Sequence, residues 1–344
     1  MRRCTRCVLG SSFPGISFAE DGVCSYCRDF DARQVVAAPR RHLDATMSAI
    51  TAAYPWGRHN YDAAVAYSGG KDSSFMLYLL QEKYNLRLLA VTFDNGFLSP
   101  QSVDNIKTVT SRLNTDHLTV RYRQDHVNAI FLNSTLSRVY PEHLTMYGSG
   151  LCISCIRMVM TAVLRTAIEK RIPMVMLGNS PGQVLRSEAE LAYQDNKIPY
   201  ALRRQLFACV AERTGTWAYD YLLLREEEYH TNPFPYFVSP LPMVGYDEKE
   251  IYRVIATLGW TKPDDVDPNS TNCRLNSFGI LRHNNIYNFH PYEYEMSQLV
   301  RLGSISRDTA LDRIEDRNGA AIAVSQQIER DLVCDACAVQ CGGH

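Results

Sequence analysis

The chain has no uninterrupted apolar run approaching the ~20 residues that a membrane span requires. Its basic opening, MRRCTRC, has no apolar stretch behind it, so no signal peptide is expected and the expected location is cytoplasmic. Charge of one sign is also missing. The 36 Lys and Arg against 37 Asp and Glu leave a net charge of -1. No global positive field is available to draw in a polyanion, and any nucleic-acid contact must come from a local patch. Internal repeats and low-complexity tracts are absent, which removes repeat architectures and disordered scaffolds. The nine histidines form no close pair at metal-binding spacing. What remains is a 344-residue globular composition, 46% hydrophobic, sufficient for one large α/β domain with appendages or two modest domains.

What the sequence does have is cysteine. In a reducing compartment its eleven cysteines read as ligands or catalysts rather than disulfides, and their grouping supports this. Cys4, Cys7, Cys24 and Cys27 stand at the N-terminus, Cys152, Cys155 and Cys273 in the body, and Cys334, Cys337 and Cys341 at the C-terminal end. Cys209 alone is isolated and reads as a small apolar helix residue.

The organisation follows the patterning. Residues 1–30 are too short for a core and need a staple, and residues 31–60 look like a connecting helix interrupted at Pro39. From Tyr61 onward, strands alternate with helices: DAAVAYS, SSFMLYLLQEKYN, LRLLAVTFDNG, SPQSVDNIKTVTSRLN, DHLTVRY, CIRMVMTAVLRTAIEKR and PMVMLGNS. That alternation predicts an α/β class with a doubly wound parallel sheet covered on both faces. Residues 184–240 look less regular. The domain reading is a cysteine module over 1–30, a linker helix over 31–60, a nucleotide domain over 61–280, a helical appendage over 281–330 and a Cys/His tail over 331–344.

The stretch VAYSGGKDSSF, residues 65–75, ends the first strand of that alternation. A strand, a glycine turn and a helix N-terminus make an anion site, because the glycines allow close backbone approach and the unpaired N–H groups face the anion. The hydroxyls of Ser68, Ser73 and Ser74 add donors and Lys71 adds a positive charge. It is not a Walker A loop, which needs glycine where Val65 stands and Ser or Thr where Asp72 stands.

The loop instead resembles the S-G-G-x-D-S signature of the PP-loop ATP pyrophosphatases, over roughly residues 60–280. The resemblance implies an adenine-nucleotide α-hydrolase-like fold in which ATP is split between its α and β phosphates and an acceptor oxygen is adenylated. Ala66, Tyr67, Ser68, Gly69, Gly70, Asp72, Ser73 and Ser74 would then bind ATP, with Lys71 and Asp72 catalytic and Mg²⁺ bridging the phosphates. Asp94 would sit near the adenosine, and Gly178 and Asn179 would close the nucleotide pocket.

Cys4, Cys7, Cys24 and Cys27 have the C-x2-C…C-x2-C spacing of a structural zinc ribbon. This end resembles both the PP-loop enzymes that thiolate tRNA and those that amidate N-acetyl sugars. Cys152 and Cys155 with the distant Cys273 resemble the ligand set of the iron–sulfur PP-loop thiolases, in which three cysteines hold a 4Fe-4S cluster and leave one iron open for exogenous sulfide. A persulfide or redox disulfide on the pair, or a structural zinc, are the other readings of these three. Cys334, Cys337, Cys341 and His344 form a second zinc-type site, which could also host a cluster, with His344 the last residue.

The expected activity is an ATP-dependent sulfurtransferase served by a sulfide source, a cysteine desulfurase or a sulfur carrier protein. Its acceptor would be tRNA or a small metabolite, and a homodimer is compatible with the resemblance. The alternative is an amide-forming PP-loop enzyme using ammonia from a glutaminase partner. Arg186, Arg203, Arg204 and Arg225 are candidates for a substrate channel or for plain solvent exposure. Asp264, Asp265 and Asp267 fit either Mg²⁺ or a polar loop.

Overall fold

The computed structural model describes residues 2–30, 40–54, 60–184, 191–315 and 325–332. Its centre is a six-stranded sheet of β1 (Ala63–Ala66), β2 (Leu88–Asp94), β3 (Asp116–Arg121), β4 (Met174–Met176), β5 (Ala192–Tyr193) and β6 (Tyr236–Val238), in the order β3-β2-β1-β4-β6-β5. All pairs are parallel except β5 with β6. The longer helices, in chain order, include α1 (Arg40–Ala53), α2 (Lys71–Tyr78), α3 (Pro100–Leu113), α4 (Gln124–Asn133), α5 (Gly150–Glu169), α6 (Tyr200–Thr214), α7 (Glu248–Thr257), α8 (Leu275–Tyr287), α9 (Glu293–Arg301) and α10 (Arg307–Glu315).

The central strands are uniformly apolar because both sheet faces are covered. On one face Ala63, Val65, Leu88, Ala90, Met174 and Met176 pack against α1, α2, α3 and α7. On the other, Ala64, Leu89, Val91 and Val175 meet Val163, Leu164 and Ala167 of α5. The doubly wound parallel sheet is therefore present, with an antiparallel edge. Chain order reverses between β1 and β4, and ligands of such sheets bind at that switch point, beyond the carboxyl ends of the strands.

Helix α5 is long and apolar enough, by length and composition, to cross a membrane. It is instead a core helix, laid across β1, β2 and β4, and its Arg157 is buried in an ion pair with Asp195 at 2.9 Å.

Two features depart from the sequence reading. Residues 184–240 hold β5, β6 and the fifteen-residue α6, so the segment that looked irregular completes the sheet. Strands of two and three residues are too short to show a period. Cys209 lies on a helix, α6, as read from the sequence, and is exposed there. Helix α2 begins at Lys71 and runs into a wider π-type turn over Leu79–Lys83.

The N-terminal module docks on the far end of the chain. Val8 packs among Met296, Leu299, Ala310 and Ile314, and the Phe13 ring meets Phe289 edge-on at 5.1 Å. Glu293, 1% exposed, takes the Arg3 guanidinium at 3.1 Å and the Gly10 N–H at 3.0 Å.

Candidate functional site

The Ser68–Ser74 loop joins β1 to α2, the strand–turn–helix context that the PP-loop signature requires. Gly69 has φ +73°, and a Cβ there would lie 2.6 Å from the Ser102 carbonyl oxygen, so only glycine fits. Its own carbonyl is fixed by Trp260 Nε1–H at 2.8 Å. The Ser68 and Ser73 hydroxyls stand 3.2 Å apart across the loop, and Gly70 N–H donates to Ser68 Oγ at 3.4 Å. Gly70 caps α2 with extended backbone and no side chain, so the first-turn N–H groups of Asp72 and Ser73 have no carbonyl a turn earlier to bond. Free first-turn donors of this kind are the makings of an anion cradle. Gly178, at the end of β4, presses on this turn: a Cβ there would come within 3.2 Å of Ser73 Cα and N. Asn179 donates to Ser239 Oγ at 3.2 Å.

Not every residue read as nucleotide-binding faces the cradle with its side chain. Ala66 closes β1. Tyr67 is buried, its hydroxyl 3.2 Å from Ser74 Oγ behind the loop, which leaves Ser68 and Ser73 as the hydroxyls at the turn. Lys71 Nζ is held by both Asp72 oxygens at 2.9 and 2.8 Å, by Tyr246 OH at 2.6 Å and by Glu248 at 3.3 Å. Burial alone would lower the Lys71 pKa, but Asp72, Tyr246 and Glu248 hold it well above its usual value, so the ammonium stays charged. Burial would likewise raise Glu248, but the Arg313 guanidinium and Lys71 hold its carboxyl below the usual range. Lys71 and Asp72 thus enter a part-buried charge network that sequence spacing gave no means of seeing. Beside it, Ser180 donates to Glu295 of α9 at 2.7 Å, and burial pushes that carboxyl up. Asp94, at the end of β2, accepts from Gly96 N–H at 2.9 Å and from Arg121.

The three body cysteines come together. Asn95, the residue after β2, donates Nδ2–H to Cys155 Sγ at 3.5 Å and to Cys273 Sγ at 3.6 Å, so those sulfurs are at most about 7 Å apart. Cys152 lies a helical turn from Cys155 on α5, and its S–H donates to Asn276 Oδ1 at 3.6 Å. Although each cysteine keeps some accessible surface, burial pushes the Cys152 thiol up to about 11, Cys155 higher still, and Cys273 upward. Free thiols in this pocket are protonated at neutral pH and are poor nucleophiles, whereas a coordinating metal deprotonates a thiol outright.

The loop that delivers Cys273 also touches the cradle. Thr271 Oγ1 accepts the Lys71 backbone N–H at 3.0 Å, and Ser99 N–H bonds the Asn272 carbonyl at 2.9 Å. One residue, Asn272, separates Thr271 from Cys273, which is under ~8 Å of chain. The phosphate loop and the thiol group therefore share one end of the sheet. The sequence reading missed Thr271, Asn276, Tyr246, Glu248 and Glu295, none of which belongs to a recognisable spacing.

Cys4, Cys7, Cys24 and Cys27 are all buried, and their sulfurs lie within 4.8 Å of one another. Cys4–Cys27 is 3.9 Å and Cys7–Cys24 is 3.7 Å. Tetrahedral thiolates at ~2.3 Å from a zinc ion stand about 3.8 Å apart, so this donor set fits a four-sulfur metal site. Hydrogen bonding from Cys27 pulls Cys7 down to about 4, while burial pushes Cys24 up to about 12. Arg301 Nη1 reaches Cys27 Sγ at 3.8 Å. The three body sulfurs do not form so tight a group. They fit a larger guest, and three thiolates with one vacancy are a donor set for a cluster.

Cys334, Cys337, Cys341, His344 and Arg186 lie outside the described residues. Arg203 is buried, paired with Asp195 at 2.7 Å, so it is neither channel nor surface. Arg204 covers the Tyr219 ring at 3.9 Å, and the exposed Arg225 pairs with Glu228. Asp265 accepts from Ser99 Oγ at 2.5 Å and Asp267 from Asn269 N–H at 2.8 Å, which makes both loop-forming residues.

No family model matches the chain. An uncharacterized protein of Methanocaldococcus jannaschii is 22% identical over 255 residues, 74% of this chain and 73% of that protein. Among solved structures, the U34-tRNA thiolase NcsA of Methanococcus maripaludis with its 4Fe-4S cluster is 14% identical, covers 96% of this chain and 88% of its own, and gives a TM-score of 0.35. NMN synthetase of Francisella tularensis is 11% identical over 90% of this chain and 97% of its own, with a TM-score of 0.36. Similarities this low decide nothing about the site. Its reading rests on the geometry above.

Proposed function

We propose that the chain is a PP-loop ATP pyrophosphatase that adenylates an acceptor oxygen and replaces it with sulfur. The supporting observation is that Asn95 joins Cys155 to Cys273, with Cys152 a helical turn from Cys155 on α5, while the loop that carries Cys273 is tied by Thr271 to the phosphate cradle. Ammonia transfer would leave three converging thiols idle.

The first-turn N–H groups of α2 and the Ser68 and Ser73 hydroxyls hold the β and γ phosphates of ATP, with Mg²⁺ neutralising them. The acceptor oxygen attacks the α-phosphorus, the bond to the bridging oxygen breaks, and pyrophosphate leaves. The acceptor carbon is now joined to AMP, a far better leaving group than a carbonyl oxygen. Sulfide adds to that carbon, AMP departs with the original oxygen, and the sulfide protons go to solvent. No net oxidation or reduction occurs. A 4Fe-4S cluster bound by Cys152, Cys155 and Cys273 would supply an open coordination site for the sulfide. A persulfide donor would need a two-electron reductant, so the reading is sulfide, delivered by a desulfurase or a carrier. Cys4, Cys7, Cys24 and Cys27 hold zinc in a structural role.

The test is anaerobic incubation with ATP, 34S-sulfide and 15N-ammonia, with bulk tRNA and a small-metabolite extract as separate acceptor pools. The expected result is 34S in one pool, with AMP and pyrophosphate formed in equal amounts, and loss of both in Cys155→Ala. Incorporation of 15N, or 34S transfer unchanged in Cys155→Ala, would overturn the reading.

A further inference from the structure

Each of the three body sulfurs has a side-chain amide against it. Asn95 Nδ2 serves Cys155 and Cys273, and Asn276 serves Cys152. Neither amide is there by accident of exposure, since both are 4% exposed. Asn95 is locked from behind, because its Oδ1 accepts the Phe97 N–H at 2.9 Å and leaves Nδ2 no direction but the sulfurs. Asn276 sits on the first turn of α8, where its Oδ1 also accepts the Tyr292 hydroxyl at 2.9 Å. Its Nδ2 has no partner among the described residues. A buried amide N–H without an acceptor costs ~1–3 kcal/mol, so the pocket is incomplete as a set of thiols.

An anionic sulfur would supply the acceptor. In the thiol form Cys152 has a proton to give, and the amide oxygen faces it. As a thiolate it has none, and the same amide turned about its Cβ–Cγ bond presents N–H to the sulfur instead. Asn95 already presents that donor to the other two.

We propose that Asn95 and Asn276 are positioning residues of the sulfur centre, donating amide hydrogen bonds to the thiolates of Cys155, Cys273 and Cys152. This rests on the cluster reading above. Such donors hold the sulfurs in converging rotamers and withdraw electron density from them, which raises the reduction potential of what they ligate. Outer-shell partners of this kind typically contribute ~10–100-fold to metal affinity.

The experiment uses the full chain, reconstituted anaerobically with iron and sulfide, as wild type, Asn95→Asp and Asn276→Leu. Asn95→Asp keeps the acceptor for Phe97 N–H but adds a carboxylate charge as it removes the donor, so Asn276→Leu, which adds no charge, is the arm that isolates the loss of an amide. The readouts are iron per chain, the rate of iron loss to a chelator, and the midpoint potential by spectroelectrochemistry, with thermal unfolding to check the fold. The expected result is iron bound by all three, roughly ten-fold faster loss to chelator in each variant, and a potential shifted negative. Wild-type protein that binds no iron sinks the cluster reading and this inference with it. Iron bound by the wild type, with both variants matching it in potential and chelator resistance, overturns the role of the amides alone. If Asn95→Asp fails to fold, Asn276→Leu decides by the same readouts.

Discussion

The backbone N–H of Lys71 donates to the Thr271 hydroxyl across 3.0 Å, joining the first turn of the phosphate loop helix to a loop 200 residues away. Thr271 caps α2 from outside, in place of the side chain that Gly70 lacks. Because Cys273 follows two residues later, whatever moves the phosphate loop moves one of the three sulfurs. Thr271→Val keeps the volume and removes the acceptor. It should cost about 1–3 kcal/mol and weaken ATP binding, while Thr271→Ser retains both. Thermal unfolding and nucleotide titration read the two effects.

Gly69→Ala places a side chain in left-handed backbone against the Ser102 carbonyl. The conformational and overpacking costs together come to about 2–4 kcal/mol. Loss of nucleotide binding should exceed what instability explains, because the strain is relieved only by opening the turn. Full ATP affinity in a folded Gly69→Ala protein would contradict the loop geometry.

Lys71 neutralises two half-buried carboxylates, so removing it should do more than remove a charge from the site. Lys71→Met leaves Asp72 and Glu248 with one cation fewer; breaking a fully buried pair costs about 3–5 kcal/mol, and the partial exposure of both carboxylates brings this to about 1–3 kcal/mol. Denaturant unfolding of Lys71→Met against wild type measures it. A cost below 1 kcal/mol would mean the ammonium is free to leave the network.

Burial pushes His283 and His290 down to about 3, and neither ring nitrogen of His283 has a partner among the described residues. In the unfolded chain both titrate near 6.5. Between pH 6.5 and 3 the unfolded state therefore binds more protons, so stability is complete above pH 6.5 and falls as the pH drops through that window. The slope approaches about 1.4 kcal/mol per pH unit for each histidine. His283→Phe, whose ring would sit between Tyr287 and Phe289, should flatten the acid limb by about half of that pair's contribution. Denaturant unfolding at pH 7 and pH 5 checks this.

Removing the metal of the N-terminal module should be felt at the other end of the chain. Arg307 bonds the Cys4 and Cys7 carbonyls, and Arg301 bonds Cys27 Sγ. In Cys7→Ser, hydrogen exchange is expected to quicken in α9 and α10 while β1, β2 and β4 keep their protection. Equal protection in α9 and α10 with and without the metal would show that the cysteine module is not what holds them.

How much of this was legible in the sequence depended on whether a feature is local. The strand–turn–helix around Ser68-Gly69-Gly70 announces itself, because glycine at positive φ and a cap without a side chain are local requirements. So does the Cys4–Cys27 tetrad, whose spacing fixes its two knuckles. Cys273 could be paired with Cys152 and Cys155 only by resemblance, since nothing between residues 155 and 273 encodes their meeting. Asn95 stands at the end of the strand stretch LRLLAVTFDNG, but its partners are sulfurs 60 and 178 residues away. Lys71 was legible as a positive charge at the loop, whereas only the fold brings Tyr246 and Glu248 up to it. The short β6 has three residues, too few to carry a pattern, and it joins the sheet because β4 offers it an edge.

The central claim is that one end of this sheet holds both a phosphate cradle and a three-thiolate iron site. The most direct measurement is iron and acid-labile sulfide in anaerobically reconstituted wild type, Cys155→Ser and Cys4→Ser, with ATP affinity measured alongside. The account predicts about four irons per chain in wild type and Cys4→Ser, loss of iron in Cys155→Ser, and ATP affinity preserved in Cys155→Ser. Iron-free wild-type protein, or iron that survives in Cys155→Ser and disappears in Cys4→Ser, would contradict it.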